Sequence, residues 1–119
     1  MKFKTRKLVQ PQHLNANETL FGGTCLSWID EEAAIFAATE TGNSRIVTKS
    51  MSEVNFIAPA FQGDIVEIGT SLKKVGITSV TLEVEVRNMR TQQIIVKIDE
   101  MVFVCLDENG RPTRHKLSK

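Results

Sequence analysis

The feature that most constrains this chain is the run 23–41, which is apolar on nearly every side of a helix. The run is rich in alanine, contains no proline and leads into Gly42-Asn43, a strong stop for a helix C-terminus. At 100° per residue Leu26, Ile29, Ala33 and Ala37 make one stripe, while Trp28 and Ile35 lie on the opposite side. Only Ser27 and Glu31 are left as a narrow polar strip. Such a helix must be covered on most sides.

Beyond the helix the chain reads only as strands, at 45–56, 64–74, 77–90 and 93–106. The third alternates cleanly, with Val80, Leu82, Val84 and Val86 on one face and Thr81, Glu83, Glu85 and Arg87 on the other, as a half-solvated antiparallel strand does. In the last strand Ile94, Val96 and Ile98 share one parity but Met101, Phe103 and Cys105 take the other. A bulge near Asp99-Glu100 accounts for the switch. Residues 1–9 supply a first strand, after which Pro11 and the asparagines at 15 and 17 break regular structure and leave a loop of about ten residues. Loops of that length in a compact domain tend to be functional. The expected fold is α+β: one long central helix wrapped by a curved antiparallel sheet of about five strands.

With 119 residues, 41% hydrophobic and 24% charged, the chain is expected to be a single domain over 1–119. A core of this size leaves about a third of the unfolded surface uncovered, so an interface with a second copy adds useful burial. A formal net charge of +1 gives no electrostatic case for nucleic acid. Arg111, Arg114, His115, Lys116 and Lys119 thicken the end of the chain, and 113–119 is expected to be a flexible tail. Cys25 and Cys105 sit in apolar runs without metal or redox spacing and read as reduced core residues. With no apolar stretch long enough to span a bilayer and no apolar signal core in MKFKTRKLVQ, the expectation is a cytoplasmic protein without a membrane partner.

The segment Asn15-Ala16-Asn17-Glu18-Thr19-Leu20-Phe21-Gly22-Gly23, followed by Leu26-Ser27-Trp28-Ile29-Asp30-Glu31, resembles the signature of the hotdog-fold acyl-CoA thioesterases. Further pieces agree in order: Val47-Thr48-Lys49-Ser50-Met51 to Val54-Asn55-Phe56, then Pro59, Gly63-Asp64, Val75-Gly76-Ile77-Thr78-Ser79, and Val102-Phe103-Val104 to Asp107-Glu108-Asn109-Gly110. The likeness covers residues 10–112. It implies hydrolysis of the thioester of an acyl-CoA to a carboxylic acid and coenzyme A, with no metal and no cofactor beyond the CoA thioester itself. It also implies a homodimer or larger homo-oligomer with shared sites. One departure stands out: Glu18 occupies a position where the family commonly has glycine, which would permit positive φ or close substrate approach.

From its helical angle alone Asp30 reads as an acid at the helix edge, beside Leu26, Ala33 and Ala37; the resemblance makes it the catalytic acid. It would deprotonate a water or attack the thioester directly, and the sequence does not choose. Backbone amides at Gly22 and Gly23, at the positive end of the helix, are the candidate oxyanion donors. Asn15, a turn former by composition, matches the family's active-site asparagine, which comes from the subunit neighbouring the one that supplies the acid. The resemblance puts the pantetheine arm of coenzyme A along Phe56, Ala58 and Pro59 and the turn of Gly76, Thr78 and Ser79. Arg45, Lys73, Lys74 and Arg87 are the candidate phosphate ligands. Thr48 and Ser50 read as strand residues, with a place facing the acyl tunnel as the lesser alternative. Two other functions remain open at this level: a non-catalytic acyl-CoA-binding protein, and a hydroxyacyl dehydratase or hydratase, for which only His13 could serve as the base.

Overall fold

The computed structural model describes residues 1–118; Lys119, the last residue of the expected tail, lies outside them. The elements are β1 (Lys2–Leu8), a 3-10 turn (Pro11–His13), α1 (Gly22–Thr41), β2 (Ile46–Met51), β3 (Val54–Phe56), β4 (Ile65–Val75), β5 (Ser79–Asn88) and β6 (Ile94–Cys105). The strands pair antiparallel in the order β1-β4-β5-β6-β2, with β3 also beside β6.

Helix and sheet meet along the stripe the periodicity defines. Ile29, Ala33 and Ala37 are fully buried, joined by Cys25 and Phe36, while Leu26 is only partly covered. Facing them are Val80, Leu82, Val84 and Val86 of β5, Val66 and Ile68 of β4, and Ile98, Met101 and Phe103 of β6. Each of the larger side chains contributes about 1.5–3 kcal/mol by leaving water. On the helix's other side Trp28 is half-buried against the edge of the His13 ring, at 4.8 Å between centroids, and Ile35 remains 54% exposed. Glu32, on the flank toward β1, is buried and accepts a hydrogen bond from the Thr5 hydroxyl. No helix among the described residues is long and apolar enough to cross a membrane.

Two local features differ from the simple strand reading. The stretch 45–56 is broken at Ser52-Glu53, giving six strands, because β6 bulges opposite it. Residues 99 and 100 together face only Glu83 between the pairs Leu82–Met101 and Val84–Ile98, and Ser52 ties the bulge off by donating its amide to Glu100 O (2.8 Å) and accepting the Glu100 amide at Oγ (3.0 Å). A second irregularity between Val96 and Ile94 turns Ile95 inward (4% exposed) in place of Ile94. Residues 113–118, expected to be mobile, pack on the body: Thr113 N donates to Cys105 O (2.8 Å), and buried His115 places Nε2 3.0 Å from Ser79 O.

On β4, Glu67 is buried and receives Arg87 Nε at 2.8 Å and Arg6 Nε at 3.4 Å, while the Arg87 guanidinium lies 3.5 Å above the Phe3 ring. Arg6 is mostly exposed, so its share is small. The Arg87 hydrogen bond holds the Glu67 carboxyl below its ordinary value of 4.5. Its stabilisation is therefore complete above that ordinary value and is lost as pH falls through the lower folded value. Glu67→Gln is expected to cost about 1–3 kcal/mol at neutral pH, the scale of charge-assisted hydrogen bonds, and to flatten the fall of Tm in acid. Thermal melts of both proteins across the acid range check this; parallel Tm profiles would remove Glu67 from the account.

Candidate active site

The N-terminus of α1 opens on a cavity of about 420 Å³ lined by Asn15, Thr19, Leu20, Gly22, Phe56, Ile57, Ala58 and Pro59. Its wall is a loop that Asn15 closes on itself. Asn15 Oδ1 accepts the amides of Asn17 (2.9 Å) and Thr19 (3.1 Å), and Nδ2 donates to Thr19 Oγ1 (2.9 Å). Leu20 N donates to Ala60 O (2.8 Å), which ties this loop to the segment after β3, and Phe21 N donates to His13 O (2.8 Å), which fixes the helix entry. The turn thus brings Asn15 beside Phe56, Ala58 and Pro59.

Phe21 stands at the N-cap without a side-chain cap, so the first amides of α1 have no side-chain acceptor. Space at Gly22 is tight: a Cβ would lie 3.2 Å from the Phe56 ring, which would have to shift by a few tenths of an ångström. At Gly23 a Cβ would lie 3.0 Å from the Phe21 ring. Glu18 adopts φ +61°, the left-handed conformation that glycine takes without strain. The departure at this position therefore changes the residue and keeps the backbone that a glycine would favour.

Asp30 does not line this cavity. It lies eight residues further along α1, about 12 Å at 1.5 Å per residue, half-buried, with Oδ1 accepting the Thr48 hydroxyl at 2.7 Å. Thr48 belongs to β2, one of the edge strands of the sheet. Within one chain Asn15 and Gly22 form one group and Asp30 with Thr48 another. Thr48 is the residue whose part the sequence concealed: alternation marks it as a strand position, and only the tertiary pairing of β2 beside α1 shows its partner.

The Gly76, Thr78 and Ser79 turn is also remote. Phe56 pairs with Val96 at one end of β6, whereas Thr78 O accepts the amide of Cys105 at the other, roughly 30 Å along the strand. Gly76 closes the turn by donating to Ser79 O (2.9 Å). Of the basic candidates, Arg87 is committed to Glu67 and Phe3, and Lys74 Nζ is 3.0 Å from Glu100 Oε1, holding that carboxyl below its usual range. Lys73 Nζ donates to Asp99 O (3.2 Å), and Arg45 Nη1 to Glu108 O (3.3 Å). His13 Nδ1 accepts the Gln10 amide (3.0 Å), which together with the Trp28 contact gives the ring a structural role. Cys25 and Cys105 are buried free thiols, and burial pushes Cys25 up to about 12.

The sequence profile of the Thioesterase superfamily matches residues 17–95, from the Asn15 loop to the start of β6. The chain belongs to that superfamily. An acyl-CoA thioester hydrolase of Haemophilus influenzae, itself uncharacterized, is 36% identical over 112 residues, 89% of this chain and 72% of the relative. Among solved structures, an aspartate-to-alanine variant of a hexameric broad-specificity acyl-coenzyme A thioesterase superposes with a TM-score of 0.86 at 30% identity, covering 95% of this chain and 85% of that one. A hexameric hotdog-fold thioesterase of Campylobacter jejuni gives 0.86 at 29% identity, covering 98% and 91%. The one-helix, antiparallel-sheet architecture is thus the hotdog fold of this superfamily.

Left-handed backbone costs an L-residue about 1–2 kcal/mol, partly offset for glycine by its larger unfolded-state entropy. Glu18→Gly is accordingly expected to raise stability by up to about 1 kcal/mol, read as an increase in Tm. A lower Tm would show that the Glu18 side chain contributes a contact of its own.

Proposed function

We propose that this chain hydrolyses acyl-CoA thioesters, with Asp30 as general base or nucleophile and the first amides of α1, at Gly22 and Gly23, as the oxyanion hole. The observation that carries the reading is the cavity at the uncapped helix N-terminus, where the absence of a side chain at Gly22 lets a carbonyl approach the backbone. Negative charge developing on the thioester oxygen is stabilised there by donors already oriented. Water, deprotonated by Asp30, adds to the carbonyl carbon; the C–S bond then breaks and the proton goes to the departing thiolate. In the alternative, Asp30 attacks directly and water cleaves the resulting anhydride.

Thr48 is the positioning residue of this scheme, because its hydroxyl fixes one carboxylate oxygen and leaves the other for the reaction. Asn15, with both ends of its amide turned to its own loop, shapes the cavity wall. Phe56, Ala58 and Pro59 offer the apolar track for the pantetheine arm, continued by the Gly76, Thr78 and Ser79 turn of a neighbouring copy. The hexameric state of the two solved relatives supports a homo-oligomer, and an oligomer answers the 12 Å gap between Gly22 and Asp30 by pairing groups from two chains.

Asp30→Asn is expected to keep the fold and lower kcat at least ~100-fold. Thr48→Val should cost about tenfold, the worth of one orienting hydrogen bond. Steady-state rates on short, long and aromatic acyl-CoAs check both; an Asp30→Asn protein with more than half the parent kcat sinks the assignment. Asn15→Ala removes the bonds that form the cavity wall and is expected to inactivate the site beside it, so mixing inactive Asn15→Ala with inactive Asp30→Asn chains tests the sharing of sites. Random exchange puts both lesions in one site of a mixed pair and leaves the other intact, so activity should return to about a quarter of the parent level. No recovery after verified exchange would place a complete site within each chain.

A further inference from the structure

Thr19 meets Asn15 through backbone and side chain alike. Asn15 N donates to Thr19 O (2.8 Å), Thr19 N donates to Asn15 Oδ1 (3.1 Å), and Asn15 Nδ2 donates to Thr19 Oγ1 (2.9 Å). The left-handed Glu18 between them, whose amide donates to Asn15 O (3.0 Å), makes so short a reversal possible. Thr19 is held from the other side by its bridge to Phe61 and by the bond from Leu20 N to Ala60 O, and it stands half-buried on the wall of the first cavity. Asn15 Oδ1 also accepts the Asn17 amide (2.9 Å), so both of its lone pairs face backbone donors and the group cannot turn over without setting its NH2 against two N–H groups. An amide nitrogen carries two protons. One is taken by Thr19 Oγ1, and the other has no acceptor among the described residues. The Thr19 hydroxyl has only Asn15 Oδ1, at 3.2 Å and already accepting two amides, to donate to.

We propose that Thr19 is a positioning residue for the hydrolysis: its hydroxyl fixes the plane of the Asn15 amide so that the second Nδ2 proton faces the substrate carbonyl in the first cavity. This role rests on the thioesterase reading and gives Asn15 a part beyond shaping the wall. The two backbone donors approach one atom, Oδ1, and an asparagine amide rocks easily about its Cβ–Cγ bond. A third contact, at the nitrogen end, defines the plane. A donor held in this way costs no reorganisation when charge develops on the carbonyl oxygen, and it adds to the backbone of Gly22, which lines the same cavity. Thr19 itself does not touch the substrate; it acts through Asn15.

Thr19→Val removes the hydroxyl but keeps the shape of the side chain and both backbone bonds to Asn15. Its kcat on an acyl-CoA is expected to fall about tenfold, the fold-change of one neutral hydrogen bond, with KM changed less than about twofold and Tm near the parent value. Thr19→Ser, which restores the hydroxyl, should recover most of that loss. A lower Tm with kcat within about twofold of the parent, or an equal loss in Thr19→Ser, would overturn the assignment and leave Thr19 a structural member of the turn. Coupling locates the effect: in an Asn15→Ala chain, whose residual rate is read at raised enzyme concentration, Thr19→Val is expected to change kcat less than about twofold. A second loss of about tenfold there would mean that Thr19 touches the substrate directly, against the positioning role. Should Thr19→Val fail to fold, the Asn15 side-chain amide of the parent, followed by NMR, decides: slower solvent exchange of the proton bound to Thr19 than of its partner supports the role, and equal exchange overturns it. A parent chain that hydrolyses no acyl-CoA would defeat the proposed reaction and this role with it, whereas an active parent matched by Thr19→Val would defeat this role alone.

Discussion

The contact of Ile29, Ala33 and Ala37 with the inner faces of β4, β5 and β6 is what the rest of the molecule depends on. Two of these three residues are alanines, so the helix meets the sheet through side chains that end at Cβ, and its axial rotation is set by which residues are small. That rotation turns Asp30 toward β2 and Trp28 toward the 3-10 turn. It also sets the uncapped start of α1 against Phe56. A larger residue at Ala33 or Ala37 would overpack this contact and displace both Asp30 and the start of the helix, although neither position touches the cavity.

Much of this architecture was legible because periodicity reports directly on burial. The stripe of α1 and the alternation of β5 need no knowledge of partners, and the parity switch across Asp99-Glu100 identified the β6 bulge from one strand alone. Its consequence was hidden, since the interruption of the neighbouring strand depends on the Ser52 hydroxyl reaching a residue 48 positions away. The docking of residues 113–118 was hidden for a similar reason. Composition reports a basic, polar segment, whereas its attachment rests on His115 finding the Ser79 carbonyl across the fold.

The site divides along the same line. Asn15, Gly22 and the Phe56–Pro59 stretch could be named from their order in the chain, but their convergence is produced by backbone bonds such as Leu20 N to Ala60 O, which no side-chain pattern encodes. Thr48 was unreadable because its meaning lies entirely in its partner. Glu18 shows the converse case, in which a residue type that gives no hint of left-handed backbone nonetheless adopts φ +61°, a conformation glycine would take without strain.

The mouth of the first cavity carries a further constraint. Phe56 and Ile57, which line it, are more than half exposed, as are Phe21 at the helix entry and Phe61, which lines a separate cavity beyond Pro59. Single exposed hydrophobic residues need no explanation, but four large ones on the helix entry and the chain from Phe56 to Phe61 form the kind of patch that marks a binding surface. Their positions are fixed from within: Phe56 is held by pairing with Val96 and packs against Gly22, and the Phe61 amide donates to Asp64 Oδ2 at 2.8 Å. Side chains so anchored cannot fold inward to escape water, so their apolar area remains available to an acyl group, a second copy or both. If the site is shared between chains as proposed, assembly and substrate binding draw on one surface, and association would remove water from the space where the thioester carbonyl meets the helix amides. Lower local dielectric strengthens those hydrogen bonds to a developing oxyanion, which gives the oligomer a chemical role in addition to its contribution to burial.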